Sequence, residues 1–346
     1  MSEARTIPPF AVIAGAEVRR VLSGNERTVT EVVEDAYCLH GNGLTVNPPS
    51  YFLRFPDRPT ARIIALPASL GGEGGMDGLK WIASFPDNVE HAIPRASAVQ
   101  ILNDPVSGYP IAVMEASVIS ASRTAASAAL AADILSRERG RPAKVGFVGT
   151  GLIARYIHTY LAANGWSFEE IGLHDLATNS LDGFEGYLER SGATGRITRH
   201  DRAETLITRS DLVIFATVAS APHITEQRWF AHNPLVLHVS LRDLSPEIVL
   251  ASTNIVDDVE HCLKASTSVH LAEQLSGDRT FVRGTLFDVV AGKVDVPAGR
   301  PIVFSPFGLG VLDVAVARHV YESLALQGEL TYVPGFFSDV HRFGES

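Results

Sequence analysis

Ala143-Lys-Val-Gly-Phe-Val-Gly-Thr-Gly-Leu-Ile-Ala154 is the stretch on which the fold of this chain turns. The apolar run Ala143–Val148 predicts a strand buried on both faces. Gly149-Thr-Gly151 then predicts a tight turn into a helix reaching about Asn164. The two glycines allow a close backbone approach to a pyrophosphate, and Ala154 lets the helix pack against the sheet. The N–H groups at the helix start face the phosphates. Gly149, Thr150, Gly151, Leu152 and Ile153 are therefore expected at a dinucleotide diphosphate, the alternative being a glycine turn that holds no ligand. Asp175 closes the next predicted strand, Ile171–Asp175, 24 residues after Gly151. A carboxylate there accepts hydrogen bonds from ribose hydroxyls and repels a 2′-phosphate. No Arg or Lys follows within Leu176–Ser180, so NAD is expected rather than NADP. A P-loop is excluded, because no Gly-Lys-Ser/Thr follows the turn.

Downstream the alternation continues, with helix 181–190, strand 195–200, helix 203–208, and strands 212–216, 236–240, 254–257 and 303–306. Alternating strands and helices predict an α/β fold with a doubly wound parallel sheet. Upstream the pattern differs. A strand at 10–14 and a helix at 16–22 precede Thr28-Val-Thr-Glu31, which has the spacing of a capping box. A Gly/Pro/Asn-rich turn at 41–49 follows, then strands at 50–55, 61–67, 79–85, 96–103 and 111–115. A helix from Ser117 to Arg139 leaves this strand-rich α+β module, and a last helix at 308–326 is expected to return to it. The expected domains are 1–139 with 307–346, and 140–306.

The 346 residues are more than one core usually fills. Lys+Arg 29 against Asp+Glu 39 gives a net charge of −10 with no basic block, which argues against nucleic acid as the main partner. At 46% hydrophobic and 20% charged the composition is that of a globular protein. The N-terminal stretch has no apolar run of signal-peptide length, and 116–135, rich in Ala and Ser with Arg123 and Asp133 inside it, is expected to be too weakly hydrophobic to span a membrane. Cys38 and Cys262 form no Cys-x-x-Cys pair and read as reduced thiols of a cytoplasmic protein. The twelve histidines show no His-Glu-x-x-His spacing, so no metal site is expected.

Three cations interrupt apolar surroundings: Arg54 in Tyr51–Phe55, Lys80 in Gly78–Phe85, and Arg123 in the small-residue helix. A buried cation needs a carboxylate from protein or ligand, unless each simply points outward or pairs internally. Asp243, just past strand 236–240, is a candidate acid/base beyond a strand's carboxyl end; Ser245-Pro246 leaves open that it only caps the next helix. His174 and His238 read as buried strand residues.

Together, Gly78-Leu-Lys80, Ser84-Phe-Pro-Asp-Asn88, Asp104-Pro-Val-Ser-Gly-Tyr-Pro110, Ser122-Arg-Thr-Ala-Ala-Ser127, Gly149-Thr-Gly151 and Gly308-Leu-Gly-Val-Leu-Asp313 resemble the ornithine cyclodeaminase/μ-crystallin family over nearly the whole chain. The resemblance implies a Rossmann domain and a substrate-binding and dimerisation domain formed by both chain ends, in a homodimer. It implies that Arg54, Lys80 and Arg123 hold a substrate carboxylate, and that Asp243 does acid/base work at the amine carbon. Thr217 and Val218, in Phe215-Ala-Thr-Val-Ala-Ser-Ala-Pro-His223, join the cofactor set. That phrase, with Lys80-Trp-Ile-Ala-Ser-Phe-Pro-Asp-Asn88 and Arg95-Ala-Ser-Ala-Val-Gln-Ile-Leu-Asn103, is similar to the family branch that makes 2,3-diaminopropionate for siderophores and peptide antibiotics. The implied reaction is NAD-dependent oxidation of N-(1-amino-1-carboxy-2-ethyl)-glutamate, whose imine water cleaves to 2-oxoglutarate and L-2,3-diaminopropionate. Arg54, Lys80, Arg95 and Arg123 would meet its three carboxylates, and Asp243, or Lys80 with a depressed pKa, would move the proton. Ornithine cyclodeamination, alanine dehydrogenation, ketimine reduction and a non-catalytic NAD(P)-binding role are the alternatives on the same scaffold.

Overall fold

The computed structural model of the chain describes residues 7–297 and 299–338. Residues 1–6, part of the stretch from which the lack of a signal peptide is read, and 339–346, assigned above to the chain-end domain, lie outside the described residues. By its contacts the chain divides into two units. The first is Met1–Asn25, Asn42–Ser120 and Gly310–Ser346; the second is Glu26–Gly41 and Ala121–Leu309.

The first unit is built on a seven-stranded sheet of β1 (Ala11–Ile13), β2 (Thr45–Val46), β3 (Tyr51–Phe55), β4 (Arg58–Leu70), β5 (Met76–Ser84), β6 (Ala96–Asn103) and β7 (Pro110–Glu115). Its order is β1-β7-β6-β5-β4-β2, with β3 also on β4, and all pairs are antiparallel except β1 with β7. Strand alternation sorts the side chains. Leu66, Lys80, Gln100 and Met114 stand in one cross-strand row and are buried. Trp81 and Val99, one residue over, are exposed on the other face. The helix Gly310–Gln327 covers the buried face, packing on β4, β5 and β6. The Asn47 side chain accepts from the N–H of Val311 in its first turn at 3.1 Å. β4 outruns its expected range of 61–67 because Pro67 falls opposite the gap between β3 and β2 rather than ending the strand. β2 lies inside what the sequence presents only as a turn.

The second unit holds an eight-stranded sheet, entirely parallel. It comprises β8 (Lys144–Val148), β9 (Glu170–His174), β10 (Arg196–Arg199), β11 (Leu212–Phe215), β12 (Leu235–His238), β13 (Thr253–Val256), β14 (Val282–Thr285) and β15 (Ile302–Ser305). The order β10-β9-β8-β11-β12-β15-β13-β14 reverses direction at β8. That reversal is the switch point at which ligands bind beyond the strand ends. β11, β12, β13 and β15 are buried at every residue, as strands covered on both faces must be. The α/β fold expected from the sequence is thus present.

Three local expectations are corrected. Thr28 does not cap: the helix Glu26–Gly41 starts two residues earlier, once Gly24, at φ +82, has turned the chain. The helix begun at Ser117 stops at Leu135 rather than Arg139, residues 136–139 forming turns. That helix also proves long and apolar enough, by length and composition, to cross a membrane. It is a core helix instead, with 72% of its apolar window buried inside the protein; Ala125, Ala126, Ala128 and Ala129 are fully buried and permit close packing.

Candidate active site

At the end of β8 the chain must turn sharply beside β11. Gly149 sits at φ +88, and a Cβ there would lie 2.6 Å from the carbonyl oxygen of Ala216, so only glycine fits. Gly151 caps the helix Leu152–Ala163, and a Cβ at Gly151 would meet nothing within 4 Å. The shelf above it is open. Asp175 ties the turn to the end of β9: Oδ2 accepts from the Thr150 N–H at 2.8 Å and its hydroxyl at 3.0 Å, and Oδ1 accepts from the Ala177 N–H at 2.9 Å. An open glycine shelf at the start of a 12-residue helix, flanked by a half-buried carboxylate, fits a dinucleotide diphosphate and ribose. Leu152 is exposed and Ile153 half-buried at that helix start.

Asp243 is fully buried and is not a helix cap; Ser245 holds that position before Pro246–Leu250. It is the hub of a hydrogen-bond cluster. The hydroxyls of Thr217 and Ser240 donate to Oδ1 and Oδ2 respectively. His223 Nε2 lies 3.1 Å from Oδ1, and His238 Nε2 lies 3.2 Å from Oδ2. His238 Nε2 is also 3.1 Å from the Asp243 N–H. One ring nitrogen cannot donate and accept at once, and the carboxylate selects the tautomer that donates. His238 Nδ1 is then left to accept from Ser305 Oγ at 3.3 Å. Burial pushes the Asp243 carboxyl upward, but donation from His223, His238 and Ser240 outweighs it and holds the group well below the usual carboxylate range. Thr217, expected only at the cofactor, has its hydroxyl committed to Asp243, while Val218 is 78% exposed.

Sequence reasoning missed His223. Its signal is its place, at the end of the Thr217–Pro222 loop that leaves the carboxyl end of β11. His238 is the buried strand residue expected, and it is also a ligand of the hub.

Arg123 is half-buried, on the helix Ser117–Leu135. Its guanidinium lies against Gly308, at φ +94, where a Cβ would come within 2.6 Å of Nη1. The turn that places Gly308 is held by Asp257, which accepts from the N–H of Phe307 at 2.9 Å and of Gly308 at 2.6 Å. The Cys262 thiol donates to Asp257 at 3.1 Å. Burial raises the pKa of Asp257 and of the Cys262 thiol alike, so this cysteine stays protonated and structural.

In the first unit the buried cation finds its partner inside the protein. Lys80 Nζ, on β5, donates to Asp313 Oδ2 at 2.6 Å and to Ser120 Oγ at 3.3 Å. Lys80 and Asp313 are both sealed from solvent. Directly opposite Lys80 in β6 is Gln100, whose buried Oε1 has no hydrogen-bond partner among the described residues. Arg54 is not buried, which corrects the reading of Tyr51–Phe55. It lies exposed on β3, its guanidinium 5.1 Å from the Phe52 ring centroid. Register sets it directly opposite Arg62 in β4, and Arg62 opposite Ser84 in β5. Arg95, also exposed, donates to that same Ser84 hydroxyl at 3.4 Å. Arg62 and Arg95 thus flank Ser84, with Arg54 one strand farther out, on the face of the sheet that carries Lys80. Like charges placed opposite each other repel, so this end of the sheet favours an anion. Arg62 escaped sequence reasoning because the strand holding it was expected to begin beside it, at 61, and the pairing with Arg54 is a matter of register.

Comparison with known proteins agrees with this architecture. Residues 15–328 match the profile of the ornithine cyclodeaminase/mu-crystallin family. The chain is 27% identical over 322 residues to the N-((2S)-2-amino-2-carboxyethyl)-L-glutamate dehydrogenase of Staphylococcus aureus, covering 90% of this chain and 94% of that one. It is 28% identical over 323 residues to the alanine dehydrogenase of Archaeoglobus fulgidus, with the same coverage. The solved structure of an archaeal alanine dehydrogenase dimer with bound NAD superposes with a TM-score of 0.82 at 27% identity, covering 94% of this chain and 99% of that one.

Proposed function

The chain belongs to the ornithine cyclodeaminase/mu-crystallin family, and from that premise we propose that it is an NAD-dependent dehydrogenase that oxidises the CH–NH bond of N-(1-amino-1-carboxy-2-ethyl)-glutamate, giving 2-oxoglutarate and L-2,3-diaminopropionate. The observation that carries this reading is the arginine-rich sheet end: Arg62 and Arg95 beside Ser84, with Arg54 next to Arg62, suit a substrate with more carboxylates than a simple amino acid has. The likeness to the staphylococcal dehydrogenase points the same way. The product would serve siderophore or peptide-antibiotic assembly.

The residues divide the work. Arg54, Arg95 and Arg123 grip carboxylates, and Lys80, fixed by Asp313, offers an ammonium. Gln100 Oε1 accepts from a substrate amine. Gly149, Thr150, Gly151, Leu152 and Ile153 cradle the dinucleotide diphosphate, Asp175 accepts from its ribose, and Thr217 and Val218 border it. When bound, NAD supplies the hydride acceptor. The proton chemistry belongs to the centre built on Asp243. The chain-end unit binds substrate and forms the homodimer, in a reducing cytoplasm where Cys38 and Cys262 stay thiols.

A second reading, alanine dehydrogenation, is favoured by the archaeal likenesses. The test is to supply NAD⁺ with N-(1-amino-1-carboxy-2-ethyl)-glutamate, L-alanine or L-ornithine, following NADH and products. NADH rising in step with 2-oxoglutarate and 2,3-diaminopropionate supports the first reading. NADH from L-alanine alone supports the second, and proline and ammonia from ornithine without net NADH would replace both. Arg62→Ala should raise KM for the tricarboxylate about tenfold, equivalent to about 1.4 kcal/mol, with little change for L-alanine.

A further inference from the structure

The Asp243 cluster has one member that is both tied to the carboxylate and open to the outside. Asp243 itself is sealed, and its four lone-pair directions are taken by Thr217, Ser240, His238 and His223. His238 is sealed as well. His223 is different: its side chain is 44% exposed while its Nε2 rests on Asp243. The pair is also pinned through the backbone. The N–H groups of His223 and Ile224 both donate to the Asp243 carbonyl oxygen, at 3.0 and 2.9 Å. The backbone at His223 is therefore fixed beside Asp243, and Nδ1 is the ring nitrogen that Asp243 does not use. The loop carrying it follows β11, beyond whose carboxyl end an open parallel sheet binds ligands.

We propose that His223 is the residue that carries the proton in this enzyme's reaction, and that Asp243 is a positioning residue that orients its ring and supports its charge. The proposal rests on the dehydrogenase reading above and says which atom of the Asp243 centre does the work. The hydride would leave the CH carbon with its electron pair for the bound dinucleotide, and the substrate would become an iminium that keeps its N–H. Water then bonds to that carbon through oxygen while one of its O–H bonds breaks, the proton passing to His223. His223 returns this proton to nitrogen, and the C–N bond breaks with its electron pair going to nitrogen as the remaining O–H bond breaks to form C=O. That last proton passes to solvent, the one proton released per NAD⁺ reduced, and His223 ends each cycle unchanged. The other groups facing this centre do not compete. Thr217, Ser240 and Ser305 are neutral hydroxyls, His238 is buried, and Arg242 turns away to the Ala265 carbonyl oxygen at 2.9 Å.

The test uses full-length His223→Ala, His223→Gln and Asp243→Asn enzymes, assayed with NAD⁺ on the tricarboxylate and on L-alanine. His223→Ala should lose about 10²–10⁴-fold in kcat, with NAD affinity unchanged, and added imidazole should restore part of the rate. Asp243→Asn should lose activity that imidazole does not restore. His223→Gln keeps a donor to Asp243 but cannot shuttle protons, and should be as slow as His223→Ala. Wild-type kcat in His223→Gln, or a slow His223→Ala that imidazole leaves unmoved, would overturn the proposal. If His223→Ala does not fold, His223→Gln decides alone. A wild-type enzyme that oxidises L-alanine and spares the tricarboxylate breaks the substrate reading only, and the variants are then compared on L-alanine. A wild-type enzyme that oxidises neither overturns both.

Discussion

Two carboxylates in this molecule are equally hidden from water and are held by different kinds of partner. In the mixed-sheet unit Asp313 faces an ammonium, Lys80, at 2.6 Å. In the parallel-sheet unit Asp243 faces two hydroxyls and two imidazoles. In an ion pair each charge faces its opposite within the protein, and the carboxylate fixes where the ammonium stands. A carboxylate held by hydroxyls and imidazoles instead stands beside rings able to take up and return a proton. The first arrangement holds a surface in place, and the second stands ready for chemistry.

Breaking the closed pair should have the largest effect. Asp313→Ala removes the carboxylate that the buried Lys80 ammonium faces, and should cost about 3–5 kcal/mol of unfolding free energy in urea titrations. Replacing both, Lys80→Met with Asp313→Leu, should recover most of that while abolishing turnover. Equal stability of the single and double variants would show that the pair is not sealed.

His158 sharpens the contrast, because it is a buried imidazole with no carboxylate. It lies 3.0 Å from the Tyr187 hydroxyl, and burial lowers its pKa to about 4. The unfolded chain, with an ordinary imidazole near 6.5, binds this proton first. Stability from His158 is therefore fully present above pH 6.5 and is lost as pH falls toward 4, by up to about 3 kcal/mol. Urea midpoints across that range should slope in the wild type and flatten in His158→Gln.

Half-burial should give an intermediate effect. Asp175→Ala removes the proposed ribose acceptor and the tether to Thr150, and NAD affinity measured by calorimetry should fall about tenfold while NADP affinity does not. An unchanged NAD affinity would remove Asp175 from the cofactor set. Smallest should be the surface pair Arg196–Glu170, 2.9 Å apart with the arginine side chain 74% exposed. Arg196→Ala should shift the urea midpoint by less than about 1 kcal/mol in free-energy terms.

What was legible in the sequence follows the range of the forces involved. The β8–turn–helix unit is local: a continuous apolar run, two glycines and an alanine at fixed offsets define it, and the structure has them as expected. Lys80 was legible as a cation that needed a partner, but the partner lies 233 residues away, beyond any spacing rule. Arg54 was misjudged because apolar neighbours on an edge strand look like those of a buried one until the sheet's second face is known. Asp243 invited a capping reading because Ser-Pro follows it, and it is Ser245 that takes the cap position. β14 was missed because Val282-Arg-Gly-Thr285 is neither apolar nor alternating, and the parallel pairing with β13 creates it. The helix Ser268–Ser276 was missed as well, although Thr267 caps it through the His270 N–H.

The long span between Lys80 and Asp313 also sets an order of events at the ribosome. At about 5–20 residues per second, the helix Gly310–Gln327 follows β5 by roughly 10–50 s. Through that interval the nascent sheet lacks the helix that covers Leu66, Lys80 and Met114, and by its end every strand of the parallel sheet has been made. The stretch that begins the protein therefore completes its fold last, and a chaperone that shields nascent apolar surface would have its longest task on β4 to β7.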